Sequence, residues 1–245
     1  MEYNNEAKME DQQPETRLTQ TKPVLNWVDL GLTVGGIVLL YILLIIGTVM
    51  LAGIIHTEKT LVYINGFCTQ AAFILLILGL KIIRKWSWQD LGWRSVSFKK
   101  IWAQILRLYF LTLGINYAYA FYLLQRGFTP PSTDVYTVLF ENAGLLGFIL
   151  NLILAVIIAP VAEETLFRGL IYGSSRTYFG KWTAAAISSA LFSALHFQLY
   201  GFFPRFILGL VLAYLYERNQ SLLPAMVFHA LNNSIAVTLL AGIAG

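Results

Sequence analysis

The chain reads as an all-α protein, a polytopic membrane bundle of about seven transmembrane helices, on three observations. Of its 245 residues 57% are hydrophobic and only 12% charged, where soluble domains carry about 25% charged residues. The mean hydropathy is +0.65. The apolar residues come in long runs free of Asp, Glu, Lys and Arg, and no water-facing fold could spread such runs over a surface.

Six runs are near or above the ~18 residues that suggest a membrane span: Leu30–Ile55, Thr60–Leu80, Leu108–Gln125, Asn142–Ala162, Trp182–Phe203 and Asn219–Gly245. A seventh, Arg205–Tyr216, is shorter and starts beside Pro204, so its crossing of the bilayer is left open. The first 25 residues are polar and mixed in charge, which predicts a disordered cytoplasmic tail and no cleaved signal peptide. Residues 26–140 form the N-terminal helices and 141–245 a second, core half. Between the second and third runs, Lys81–Arg107 interleaves Trp86, Trp88, Trp93 and Trp102 with basic residues, the composition of an amphipathic segment at the headgroups. Gly127, Pro130 and Pro131 make residues 126–141 a candidate outer lid.

Charge orients the bundle. With seven spans and the N-terminus inside, 14 of the 17 Lys and Arg fall on the inner side, leaving Lys59, Arg126 and Arg205 outside, which predicts a cytoplasmic N-terminus. The net charge of +4 does not point to nucleic acid, because the basic residues lie in connections rather than on one polar face. Cys68 is the only cysteine, so an intrachain disulfide and a thiolate metal cluster are excluded. No internal repeat is evident, which counts against a repeat-built transporter.

Chemistry is carried by polar residues inside the apolar runs. Glu163 and Glu164 lie in APVAEETLFRG, and an acidic side chain deep in a membrane helix costs about 2.5–3.5 kcal/mol on insertion scales. Glu164 and Arg168 are i and i+4 and can pair. Glu163 points about 100° away without a partner on its own helix, a candidate general base. Pro160 removes a helical hydrogen bond and can free a carbonyl near the site. The bland alternative makes the E-E-x-x-x-R triplet a structural ion cluster. His196 in FSALHF and His229 in FHALNN also lie in uncharged runs, whereas His56 ends a helix. Phe192 shares a face with His196, and His229 with Asn233; Asn232 is one position off. At ~1.5 Å rise per residue these groups lie roughly 10–20 Å from the cytoplasmic ends of their runs, so they can meet at one level.

A carboxylate, two imidazoles and an amide suffice to hydrolyse a peptide bond without a serine or cysteine nucleophile. Glu163, helped by His196, would activate water, and His229 and Asn233 would stabilise the oxyanion. The same residues could instead hold zinc through Glu163, His196 and His229, although no H-E-x-x-H pair is present. The cofactor is therefore either none or zinc.

The three motifs, E-E-T-L-F-R at 163–168, F-S-A-L-H at 192–196 and H-A-L-N-N at 229–233, resemble the signature of the CPBP family, which includes the type II CAAX prenyl proteases and proteins linked to bacteriocin self-immunity. The resemblance covers about residues 145–240 with no departure in the motifs. It implies a CPBP-like catalytic core at 141–245, water activation by Glu163 and His196, an oxyanion site of His229 and Asn233, and support from Glu164 and Arg168. It also implies a conical cavity opening to the cytoplasm. The family has been described both as metalloproteases and as glutamic proteases. The expected activity is that of an intramembrane endopeptidase in the bacterial cell membrane, cutting a membrane-associated peptide or protein near the cytoplasmic face; a fold resemblance does not transfer substrate. The competing readings are a non-catalytic immunity or scaffold protein that binds a peptide or sensor protein, and an ion-coupled transporter. The expected partners are the lipid bilayer and the peptide substrate.

Overall fold

The computed structural model describes residues 24–128, 135–140 and 143–244. Apart from its last two residues, the expected tail lies outside the described residues, as does much of the 126–141 connection. All regular structure among the described residues is helical: α1 (Trp27–Ala52), α2 (Glu58–Arg84), α3 (Phe98–Gln125), α4 (Val135–Phe140), α5 (Gly144–Ala194), α6 (Phe202–Asn219) and α7 (Leu223–Ala244). The chain is an integral membrane protein, and four of these helices, α1, α2, α5 and α7, are long and apolar enough to cross a membrane.

Three of the seven expected runs fall short of that length and apolarity, for identifiable reasons. α5 is broken at Gly180, whose φ of 73° is open to glycine at little steric cost. Its second limb, running from there to Ala194, is too short to span alone, and the Trp182–Phe203 run is interrupted by non-helical residues before α6 begins. α6 covers the Arg205–Tyr216 run in 18 residues but carries Arg205, Glu217 and Arg218. α3 starts ten residues before its apolar run and includes Lys99, Lys100 and Arg107.

α1 begins in a capping box. Asn26 Oδ1 accepts from the Val28 and Asp29 amides while Asp29 Oδ2 accepts from the Asn26 amide, which satisfies amides the first turn leaves orphaned. The other oxygen of the fully buried Asp29 accepts from Arg84 Nε at 2.6 Å. The start of α1 is thereby fastened to the end of α2. Only Asp29, Thr33 and Ile37 of α1 are buried, a stripe of i, i+4 positions, and the remaining surface presents apolar residues such as Val38, Ile42 and Val49 outward, as a lipid-facing helix must.

The Trp-rich segment after α2 divides in two. Trp88 and Trp102 are exposed, as expected at headgroups, but Trp86 and Leu91 are buried in the core. The Gly92 carbonyl accepts from the Leu222 amide at 2.9 Å, and the Arg94 carbonyl accepts from Ser221 Oγ. The segment is a plug beneath α5 and α7 as much as a surface strip.

α5 and α6 cross closely at Gly209, where an added Cβ would lie 2.7 Å from Ser189 Cβ and 2.9 Å from Ser189 Cα. Gly209→Val should lower the thermal midpoint in detergent by the equivalent of about 1–3 kcal/mol, the usual cost of overpacking, whereas Gly47→Val, in open space on α1, should leave the midpoint unchanged.

Candidate active site

α5 carries the acidic pair. Glu164 is fully buried, and its Oε1 accepts from Arg168 at 3.1 Å and from His229 Nδ1 at 2.9 Å. Arg168, also fully buried, donates from its other terminal nitrogen to the Gly209 carbonyl at 3.1 Å and lies 4.7 Å from the Phe192 ring centre. A buried charge is tolerated only when paired and hydrogen-bonded. This knot pairs the two charges and draws one further group from each of α6 and α7 onto α5, although Glu164 Oε2 and Arg168 Nε are left without a partner, and it realises the expected Glu164–Arg168 pair.

Glu163 lies one residue earlier and faces a cavity. Its Oε1 accepts from Gln70 Nε2 of α2 at 2.8 Å, and its Oε2 stands 3.9 Å from His229 Nε2, beyond hydrogen-bond length. The cavity encloses about 530 Å³ and is lined by Tyr41, Gln70, Phe73, Phe167, Phe192 and His196 among others. His196 lies two residues past the end of α5, with its Nδ1 2.8 Å from the Phe192 carbonyl. That carbonyl can only accept, so Nδ1 carries the proton and the neutral ring keeps a lone pair on Nε2. Phe192 packs edge-on against both imidazoles, with ring centres 5.1 Å from His196 and 5.7 Å from His229. One aromatic ring thus spaces the two histidines.

Asn233 is placed by an irregularity in α5. Residues Ile153–Ile158 form a π-helix, in which the Ala159 amide donates to the Leu154 carbonyl five residues back. The next donor in that register is Pro160, which has no N–H. The Ala155 carbonyl is therefore free, and Asn233 Nδ2 donates to it at 2.8 Å. The Asn233 carbonyl oxygen accepts from Asn232 Nδ2 at 3.3 Å, so the amide keeps one N–H to offer.

Glu163 and His196 thus line one cavity end, with His229 Nε2 3.9 Å from Glu163 and Asn233 held to the Ala155 carbonyl of α5. The level is midway along α2 and α5, since Gln70, which meets Glu163, lies 12 residues from one end of α2 and 14 from the other. Among the described residues no three of His, Cys, Asp and Glu stand close enough to share a metal ion. Each of His196 and His229 turns Nδ1 to a protein acceptor, which leaves Nε2 as the nitrogen available to a proton or a ligand. Gln70 was not singled out in the sequence; its only signal is a polar side chain amid FCTQAAFILL.

Removing one member of the knot should be costly. Arg168→Leu leaves Glu164 uncompensated in the bundle, with an expected loss of about 3–5 kcal/mol, read as a lowered detergent unfolding midpoint or loss of folded protein. The double variant Glu164→Met/Arg168→Leu should recover much of it.

Residues 145–235 match the family described as "Type II CAAX prenyl endopeptidase Rce1-like". An "Uncharacterized 24.3 kDa protein" of Escherichia coli is 34% identical over 113 residues, 44% of this chain and 52% of that one, so the chain spans about half the length of this relative. "Putative membrane peptidase YdiL" of Bacillus subtilis is 23% identical over 188 residues, 74% of each chain. "UPF0177 protein YxdF" of Lactococcus lactis is 28% identical over 128 residues, 51% of this chain and 70% of that one. No solved structure matches. The matched segment contains Glu163, Glu164, Arg168, His196, His229 and Asn233, and over that segment the chain is similar to the Rce1-like CAAX prenyl endopeptidases, in line with the CPBP resemblance of its three motifs.

Proposed function

We propose that the chain is an intramembrane endopeptidase that hydrolyses a peptide bond of a membrane-associated peptide or protein with water activated by Glu163. The observation that carries this reading is the division of labour between adjacent glutamates. Glu164 is fully buried and ion-paired with Arg168 inside the bundle, whereas Glu163 has no cationic partner on its own helix and lines the end of a cavity.

Water between Glu163 and His196 would give its proton to this pair as its oxygen adds to the scissile carbonyl carbon. The His196 lone pair on Nε2, fixed by the Nδ1 contact to Phe192, is free to take part. The carbonyl oxygen becomes an oxyanion facing hydrogen-bond donors. In its imidazolium form His229 presents Nε2–H, with Glu163 and Glu164 flanking the ring at 3.9 and 2.9 Å to balance its charge. The remaining N–H of Asn233 is the second donor. Collapse of the intermediate breaks the C–N bond, and the proton taken from water passes to the leaving amine. Gln70 is a positioning residue in this scheme, because its amide holds one oxygen of Glu163 and turns the other toward the cavity.

Purified protein in detergent, offered a library of membrane-associated peptides, should cut with wild-type sequence and lose cleavage by about 10²-fold or more in Glu163→Ala and His229→Ala, in keeping with the weight of general-base and oxyanion groups. Glu163→Ala should unfold near the wild-type temperature, whereas His229→Ala also takes a partner from the buried Glu164 and should unfold lower; a chelator should leave cleavage unchanged. Retained cleavage in Glu163→Ala would sink the proposal. Gln70→Ala should lower kcat with little change in KM.

A further inference from the structure

The cavity that ends at Glu163 has a direction. Besides the groups at its inner end it is lined by Leu44 and Ile45 of α1, Val62, Asn65, Gly66 and Thr69 of α2, Leu139 of α4 and Leu195 and Phe197 after α5. On α1 these residues lie past the midpoint toward Ala52, and on α2 they lie in the half nearest Glu58. Leu139 and Phe197 belong to segments on that same side. Asn65, Ile45 and Phe197 are exposed at the rim. The mouth therefore opens on the face where α1 ends and α2 begins.

The opposite face is closed and basic. It is where Asp29 meets Arg84, the Trp27 amide donates to Tyr178 and the Leu222 amide donates to Gly92, and the buried Trp86 and Leu91 plug it. Lys81, Arg84, Lys85, Arg94, Lys99, Lys100, Arg176, Lys181 and Arg218 gather at this end, while Lys59, Arg126 and Arg205 stand at the mouth end. A Lys and Arg excess of that size marks the cytoplasmic side.

Resting on the peptidase reading for its consequence, we propose that substrate reaches Glu163 from the extracytoplasmic face, contrary to the cytoplasmic opening that the family resemblance implies. The substrate class is accordingly a peptide or protein segment exposed outside the membrane or in its outer leaflet, with apolar side chains flanking the cut to match the Tyr41, Leu44, Phe73 and Phe197 walls. A segment confined to the cytoplasm meets the plug instead of the mouth.

Cysteine labelling tests this independently of catalysis. With Cys68, which is exposed on α2, replaced by Ser, single cysteines are placed at the mouth (Asn65→Cys, Phe197→Cys) and on the basic face (Ser87→Cys). Each is treated in intact spheroplasts with a membrane-impermeant maleimide, then again after permeabilisation. The expected result is full labelling of the two mouth cysteines before permeabilisation, and of Ser87→Cys only after it. Labelling of the mouth cysteines only after permeabilisation, or not at all, would overturn the proposal. Mouth cysteines that label from outside in a protein that cuts no peptide would leave the access route standing and remove the peptidase reading.

Discussion

Everything in the core half depends on keeping two full charges inside an apolar bundle. Glu164 and Arg168 are one helical turn apart and wholly buried, and neither would be tolerated there alone. Their mutual contact is not enough, because a guanidinium has five donors and a carboxylate several acceptor sites. The structure supplies the Gly209 carbonyl to one and the His229 ring to the other, so the demand for pairing draws α6 and α7 against α5. The close crossing at Gly209 is the steric counterpart of that demand.

The reactivity proposed for the site comes from what the knot leaves over. One carboxylate is neutralised, its neighbour on the next residue is not, and the same histidine faces both. Glu163 is steadied by a single neutral amide, that of Gln70, which orients it without cancelling its charge. Asn233 shows the same economy in the backbone, since a π-turn and a proline leave a carbonyl unsatisfied and the side chain from α7 satisfies it. Such irregularities in a helix are frequent at functional sites, and this one sits eight residues before the acid it serves.

Sidedness follows from packing rather than from the site. α1 buries only a narrow stripe and otherwise faces lipid, yet its capping box and the Asp29–Arg84 bond fasten it firmly at the basic end. At the other end it stands away from α5, and the gap between them is the cavity. The helix pair is thus held shut on one face and, among the described residues, open on the other, which gives the buried carboxylate an approach from that side.

The residues themselves determined the membrane class, the helical fold, the Glu164–Arg168 pair, and the choice of Glu163, His196, His229 and Asn233 as candidates, because burying charge and imidazole in uncharged runs is costly wherever the helices go. The release of a carbonyl by Pro160 was legible for the same local reason. Tertiary structure alone decided the rest. Gln70 became a site residue only because α2 packs on α5 some 93 positions away in sequence. The short second limb, the buried Trp86 and Leu91 and the side on which the cavity opens all depend on which helix faces touch, a long-range property that hydropathy and spacing along one chain do not encode.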